Sequence, residues 1–256
     1  MKHPFLLQYR PWILACISLT CIMGVLFLPA IPQFPGYHGL ADDRTLWGIP
    51  NMLNIITNLP FTLVGIAGIR LLAKASALNV IIELKPCYYW FFAGIAGVGL
   101  GSIYYHNDPS NDTLVWDRLP MSLAFMSFFC IILGEYVSIK MAKSLSYPLL
   151  LIGAGSVLYW WLGEKQGQGD LRIYGLVQYL PLVLMPIILL IYPAKFSHAN
   201  RYWIFYGLYG LAKIFEIGDL TIYQLSGFIS GHSLKHLAAA AGCAVFLRQL
   251  MIRKAR

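Results

Sequence analysis

Ser102 and His106 stand four residues apart, and so do His232 and His236. On a helix, residues at i and i+4 lie one above the other on a single face. His-x₃-His is the arrangement by which one helix offers two imidazoles to one metal ion. His106 would supply the third ligand from another helix. Three neutral imidazoles leave a fourth position open on Zn²⁺, the pattern of a catalytic site and not of a closed structural one. Water held there ionises near neutral pH. Asp117, eleven residues beyond His106, is placed to orient that water or take its proton, and Ser102 to donate to an oxyanion. Each motif also has a plainer reading. A histidine pair can pack or meet headgroups, Ser102 can bond back to its own helix, and Asp117 can pair with Arg118.

Those residues sit at the edges of long apolar runs. The chain of 256 residues is 58% hydrophobic and only 12% charged, about half the charge of an ordinary soluble domain. Apolar stretches fall at 11–29, 51–73, 88–106, 113–136, 146–163, 174–193, 202–224 and 231–251, each near the ~20 residues of a spanning helix. None alternates as a barrel strand does, so the expectation is an all-α polytopic membrane protein of eight helices. The first stretch has the basic flank of a signal peptide but no clear small-x-small cleavage site, and it is read as a helix. The five cysteines show no C-x-x-C spacing and read as packing thiols.

The formal charge of +8 is distributed as topology, not as a nucleic-acid footprint. With the N-terminus cytoplasmic, the inner ends carry Lys2, Arg10, Arg70, Lys74, Lys85, Lys140, Lys143, Lys195, Arg201, Arg248, Arg253, Lys254 and Arg256. The outer loops carry only Arg44, Lys165 and Arg172. By the positive-inside rule both termini are cytoplasmic. That orientation, set by Lys and Arg alone, brings Ser102, His106, Asp117, His232, His236 and the asparagines of "NMLNIITN" (Asn51, Asn54, Asn58) to one extracytoplasmic level. An ionisable residue at membrane depth reads as functional by default.

Together, "GSIYYH", "WDRLPM" and "HSLKH" resemble the alkaline ceramidases and their wider superfamily of seven-helix membrane hydrolases, which includes the adiponectin and progestin receptors. The family pattern is Gly-Ser-x₃-His, an aspartate eleven residues on within Asp-x-Leu-Pro-Met, and His-x₃-His in the last helix. All three are present, over a core of residues 42–245. The resemblance implies that His106, His232 and His236 bind zinc, that Asp117 handles the proton of the attacking water, and that Ser102 supports the site. It implies a seven-helix domain over 42–256, with residues 1–41 as an added helix and loop. It also implies hydrolysis of an N-acyl amide lipid, ceramide-like, to a fatty acid and an amine. The family's calcium site is matched only in part: "ADDRTLWGIPN" keeps Asp42, Asp43 and Trp47, but Asn51 stands where an acid is expected. Arg118 replaces the family's glutamate, and Lys235 sits between the two C-terminal histidines.

Other features carry expectations of their own. Lys213, Glu216 and Asp219 form an internal charge group. Residues 164–178 make a rim or lid over the site. Tyr159, Trp160 and Trp161 form an interfacial aromatic belt. His38 is a surface residue, and His3 and His198 fall at the opposite level. Two other classes compete with a hydrolase. A lipid-sensing receptor, with the same zinc in a structural role, would bind lipid without releasing fatty acid, whereas a transporter would place its polar groups at the midplane between repeats.

Overall fold

Backbone groups in an apolar medium have no water to bind, so each segment closes its hydrogen bonds within a helix. The computed structural model describes residues 4–74 and 77–256, and Lys2 and His3 therefore lie outside the described residues. The chain is all-α. Its helices are α1 (Pro4–Phe27), α2 (Met52–Ile56), α3 (Leu59–Ala73), α4 (Lys85–Asn107), α5 (Asn111–Ile132), α6 (Ile139–Lys165), α7 (Arg172–Ile191), α8 (Asn200–Ile217), α9 (Asp219–Ser226) and α10 (Gly231–Ile252).

Every expected apolar segment coincides with helix, but two of them are broken. The second divides into α2 and α3, where Pro60 opens α3 and, lacking an N–H, has no bond to give to the turn before it. The seventh divides at Gly218 into α8 and α9. Among the described residues, five segments are long and apolar enough to cross a membrane: Gln8–Phe27, Met52–Ala73, Asn111–Val137, Ile139–Lys165 and Arg172–Ile191. Helices α4, α8 and α10 are not among them. Two of these three carry the histidines.

Helices α4 and α5 form the most extensive pair, flanked by α3 and α6, and α8 packs along α10. Glycine sets how closely the central pair approaches. A Cβ on Gly101 would strike the Trp116 carbonyl, one residue before Asp117. Phe91, Phe128 and Phe246 interlock deeper in the bundle, with Phe246 edge-on to the other two at 5.2 and 5.0 Å. Helix α1 stands apart, packing on α7 with none of its apolar window buried.

The two ends of the bundle differ in chemistry. One holds the C-terminus of α4 and the N-termini of α5 and α10, and is called the site end below. At the other, Arg253 pairs with Glu135 at 2.7 Å with both side chains buried, Tyr88 and Tyr202 donate to the same carboxylate, and Lys195 donates to the Gly134 carbonyl.

Candidate metal centre

Three imidazoles from two helices meet at the site end. His106 comes from the last turn of α4, and His232 and His236 from the first two turns of α10. One ring nitrogen from each lies within 4.8 Å of the others, and the ring centroids are 4.8–5.1 Å apart. No other cluster of three or more metal-ligating side chains occurs among the described residues.

Neighbouring groups position each ring. Asp219 accepts from the His232 backbone N–H at 2.7 Å, and Ser230 caps the helix by accepting from Ser233 N–H. A Cβ on Gly231 would collide with the Phe215 carbonyl, so glycine lets α10 begin against α8. Asn51, held at φ 47°, donates to the His106 carbonyl at 2.9 Å. Asn54, fully buried, donates to the Asp42 carbonyl and accepts from Ser233 Oγ at 2.8 Å. Asn58 Nδ2 lies 3.1 Å from His236 Nδ1 and donates to the Asn54 carbonyl at 2.7 Å. The three asparagines thus fasten three different pieces of the site.

The donor set fits a tetrahedral dication. His106 Nε2 and His232 Nε2 are 3.3 Å apart. That equals the edge of a tetrahedron with Zn–N bonds of about 2.0–2.1 Å, which is about 3.3 Å. The tautomer of His236 fits as well. Thr57 gives its one hydroxyl proton to the Leu53 carbonyl at 2.7 Å. Its oxygen, 3.1 Å from His236 Nδ1, can then accept from Nδ1–H, the tautomer that leaves the Nε2 lone pair free for a metal, while the Asn58 amide lies equally close to the same nitrogen. Lys235 turns aside from the cluster to Glu216, at 3.0 Å; its approach to His232 Nδ1 is longer, 3.4 Å.

Ser102 and Asp117 stand beside the histidines on the wall of a cavity of about 760 Å³. Ser102 comes from the last two turns of α4 and Asp117 from the second turn of α5, both buried. Below them the cavity runs among Phe91, Ile95, Phe128 and Met185, a polar head on an apolar shaft of the size that takes small ligands.

The sequence model of the ceramidase family matches residues 47–218, two thirds of the chain. It belongs to the ceramidase family. None of the curated proteins compared with the chain matches it. The family match covers Ser102, His106 and Asp117 but stops before α10, so it is the folded geometry that joins His232 and His236 to them.

Several expectations need correction. Trp160 belongs to no interfacial belt: it is fully buried under the Arg118 guanidinium, at 4.3 Å, while Tyr159 is half exposed. His38 is half-buried, clamped between Tyr105 Oη at 3.1 Å and Asn111 Oδ1 at 3.0 Å. Of the charge group, Lys213 and Glu216 pair at 2.6 Å, but Asp219 serves α10 instead. Residues 164–170 are tied to the segment after α1: Glu164 accepts from Gln33 N–H at 2.7 Å and Asp170 from Ile31 N–H at 3.3 Å. Asp170 also pairs with Arg172, whose guanidinium holds its carboxyl below the usual range. The Asp42 carboxylate is taken up by Arg44 at 2.7 Å. Sequence reasoning missed Thr57 and Tyr37. Thr57, one residue before Asn58, carried a signal in its position.

Proposed function

We propose that this ceramidase-family protein is a zinc-dependent intramembrane amidohydrolase that cleaves the N-acyl amide of a ceramide-like lipid to a fatty acid and an amine. The observation that carries this reading is the meeting of His106, His232 and His236 at the polar head of an otherwise apolar cavity. The three histidines would hold the metal. Zn²⁺, when bound, polarises a carbonyl and makes water nucleophilic at neutral pH. Asp117 takes the proton of the attacking water and returns it to the departing nitrogen. Ser102 fixes the carboxylate for both transfers. The shaft lined by Phe91, Phe128 and Met185 receives the acyl chain and excludes water from it.

The reading includes an orientation. Eight spanning segments place both termini in the cytoplasm and the site end on the extracytoplasmic side. Residues 42–256 form the catalytic unit, and residues 1–41 are an addition whose Cys21, Val25 and Tyr37 complete the cavity wall.

The test is fatty-acid release by the purified protein from a panel of N-acyl lipids, alongside metal analysis. Wild type should contain about one zinc per chain and lose activity on chelation. His232→Ala should lose both metal and turnover. Asp117→Asn should keep its zinc while kcat falls about 10²- to 10⁴-fold, the usual worth of a proton-transfer group. Lipid binding without any fatty-acid release would reject the enzyme in favour of a receptor.

A further inference from the structure

The cations of the cavity are accounted for by carboxylates, with one exception. Lys213 and Lys235 share Glu216 at 2.6 and 3.0 Å, and Arg172 pairs with Asp170 at 2.8 Å. Arg118 also lines the cavity, is only 5% exposed, and makes no ion pair among the described residues. Its Nη1 is buried without a hydrogen-bond partner. Three rings enclose the guanidinium: Trp160 at 4.3 Å, Tyr174 at 5.0 Å and Tyr37 at 5.1 Å. Rings stabilise the charge through their faces but accept none of its in-plane N–H groups, and a buried charge with unmet donors is costly. Among the described residues, the neighbouring Asp117 makes no ion pair or hydrogen bond with Arg118, and no group satisfies Arg118 Nη1.

We propose that Arg118 is a specificity-determining residue that receives an anionic group on the head of the lipid, so that the substrate is an acyl amide with a carboxylate or phosphate on its amine side. This inference rests on the amidohydrolase reading. A guanidinium presents a planar fork that matches either anion through two hydrogen bonds. Its level in the cavity decides which part of the lipid it meets. Arg118 sits in the second turn of α5, capped by Tyr37 from the loop after α1, Trp160 near the end of α6 and Tyr174 near the start of α7. All of these lie at the site end, with the histidines, while the acyl shaft descends away from them. Hydrolysis of such a lipid breaks the amide C–N bond, forms a C–O bond from water, and delivers a proton to the nitrogen. The products are a fatty acid and an amine that keeps its anion.

The test compares N-palmitoylglycine with N-palmitoylethanolamine, which have the same acyl chain and amide but a charged or neutral head. Equilibrium binding of each to the detergent-purified full chain is measured with and without chelator, and hydrolysis of each is followed separately. Wild type should bind the glycine conjugate about tenfold more tightly, a difference of about 1.4 kcal/mol. Arg118→Gln should bring the two affinities together, and Arg118→Lys should keep part of the preference. Equal wild-type affinities would overturn the proposal without any variant. So would a preference unchanged in a folded Arg118→Gln. Palmitate inhibition supplies a further arm, because the product also carries a carboxylate. If Arg118→Gln relieves palmitate inhibition but leaves the head preference intact, Arg118 serves the product and the proposal fails. A charge preference in binding that Arg118→Gln abolishes, with no fatty-acid release from these or any lipid of the panel, upholds the anion site at Arg118 and rejects the enzyme. Hydrolysis of both with equal affinities does the reverse.

Discussion

At the scale of single residues, the site depends on which nitrogen of each imidazole is free. Thr57 bears on this for His236: its hydroxyl proton goes to Leu53, so its oxygen is the group beside Nδ1 that can accept from it. Replacement by valine keeps the shape but removes the acceptor beside the ring. Thr57→Val should weaken zinc affinity about 10- to 100-fold, the usual loss for a group supporting a metal ligand. Thr57→Ser should restore most of it. Competition against a chelator of known affinity measures both, and an unchanged affinity in the valine variant would remove Thr57 from the site. The sequence displayed the ligands because histidines four apart in apolar helices are conspicuous. Thr57, at the break between α2 and α3, was marked only by its place beside Asn58, since a threonine is ordinary until the ring it faces is known.

Among the helices, position follows from how closely backbones approach. Ser102 on α4 and Asp117 on α5 meet because Gly101 lets α4 lie against the Trp116 carbonyl. A larger side chain there would push apart the pair that the chemistry needs together. Gly101→Val should destabilise the protein by about 1–3 kcal/mol, as overpacking does in well-packed cores, and should lower activity beyond what the lost stability accounts for. Thermal unfolding in detergent and kcat measured well below the transition separate the two effects. Hydrophobic run length made all eight helical segments legible. It did not reveal the breaks at 57–58 and at Gly218, because mean apolarity is blind to one missing N–H or one flexible residue. Trp160 was misplaced for a related reason. Aromatic clusters suit an interface and a cation cage equally, and only the fold brings Arg118 over the ring.

For the molecule as a whole, the histidine cluster and the basic C-terminal segment occupy opposite ends. The histidine cluster gathers at one, and Lys195, Arg253 and Lys254 gather at the other, where Ser197 N–H donates to the Lys254 carbonyl and Arg256 N–H to the Lys195 carbonyl. A lysine- and arginine-rich end is retained on the cytoplasmic face during insertion, so the proposed orientation puts the metal centre on the far side of the bilayer from the termini. Lys254 and Gln166 are both exposed and lie at opposite ends, which makes them reporters. With Cys16 and Cys21 replaced by serine, Gln166→Cys should react with a membrane-impermeant thiol reagent in intact cells. Lys254→Cys should react only after permeabilisation. Labelling of both in intact cells would mean that the ends share a face, and the reverse pattern would turn the site towards the cytoplasm. Either result would leave the three-histidine geometry standing while changing which leaflet supplies the lipid head.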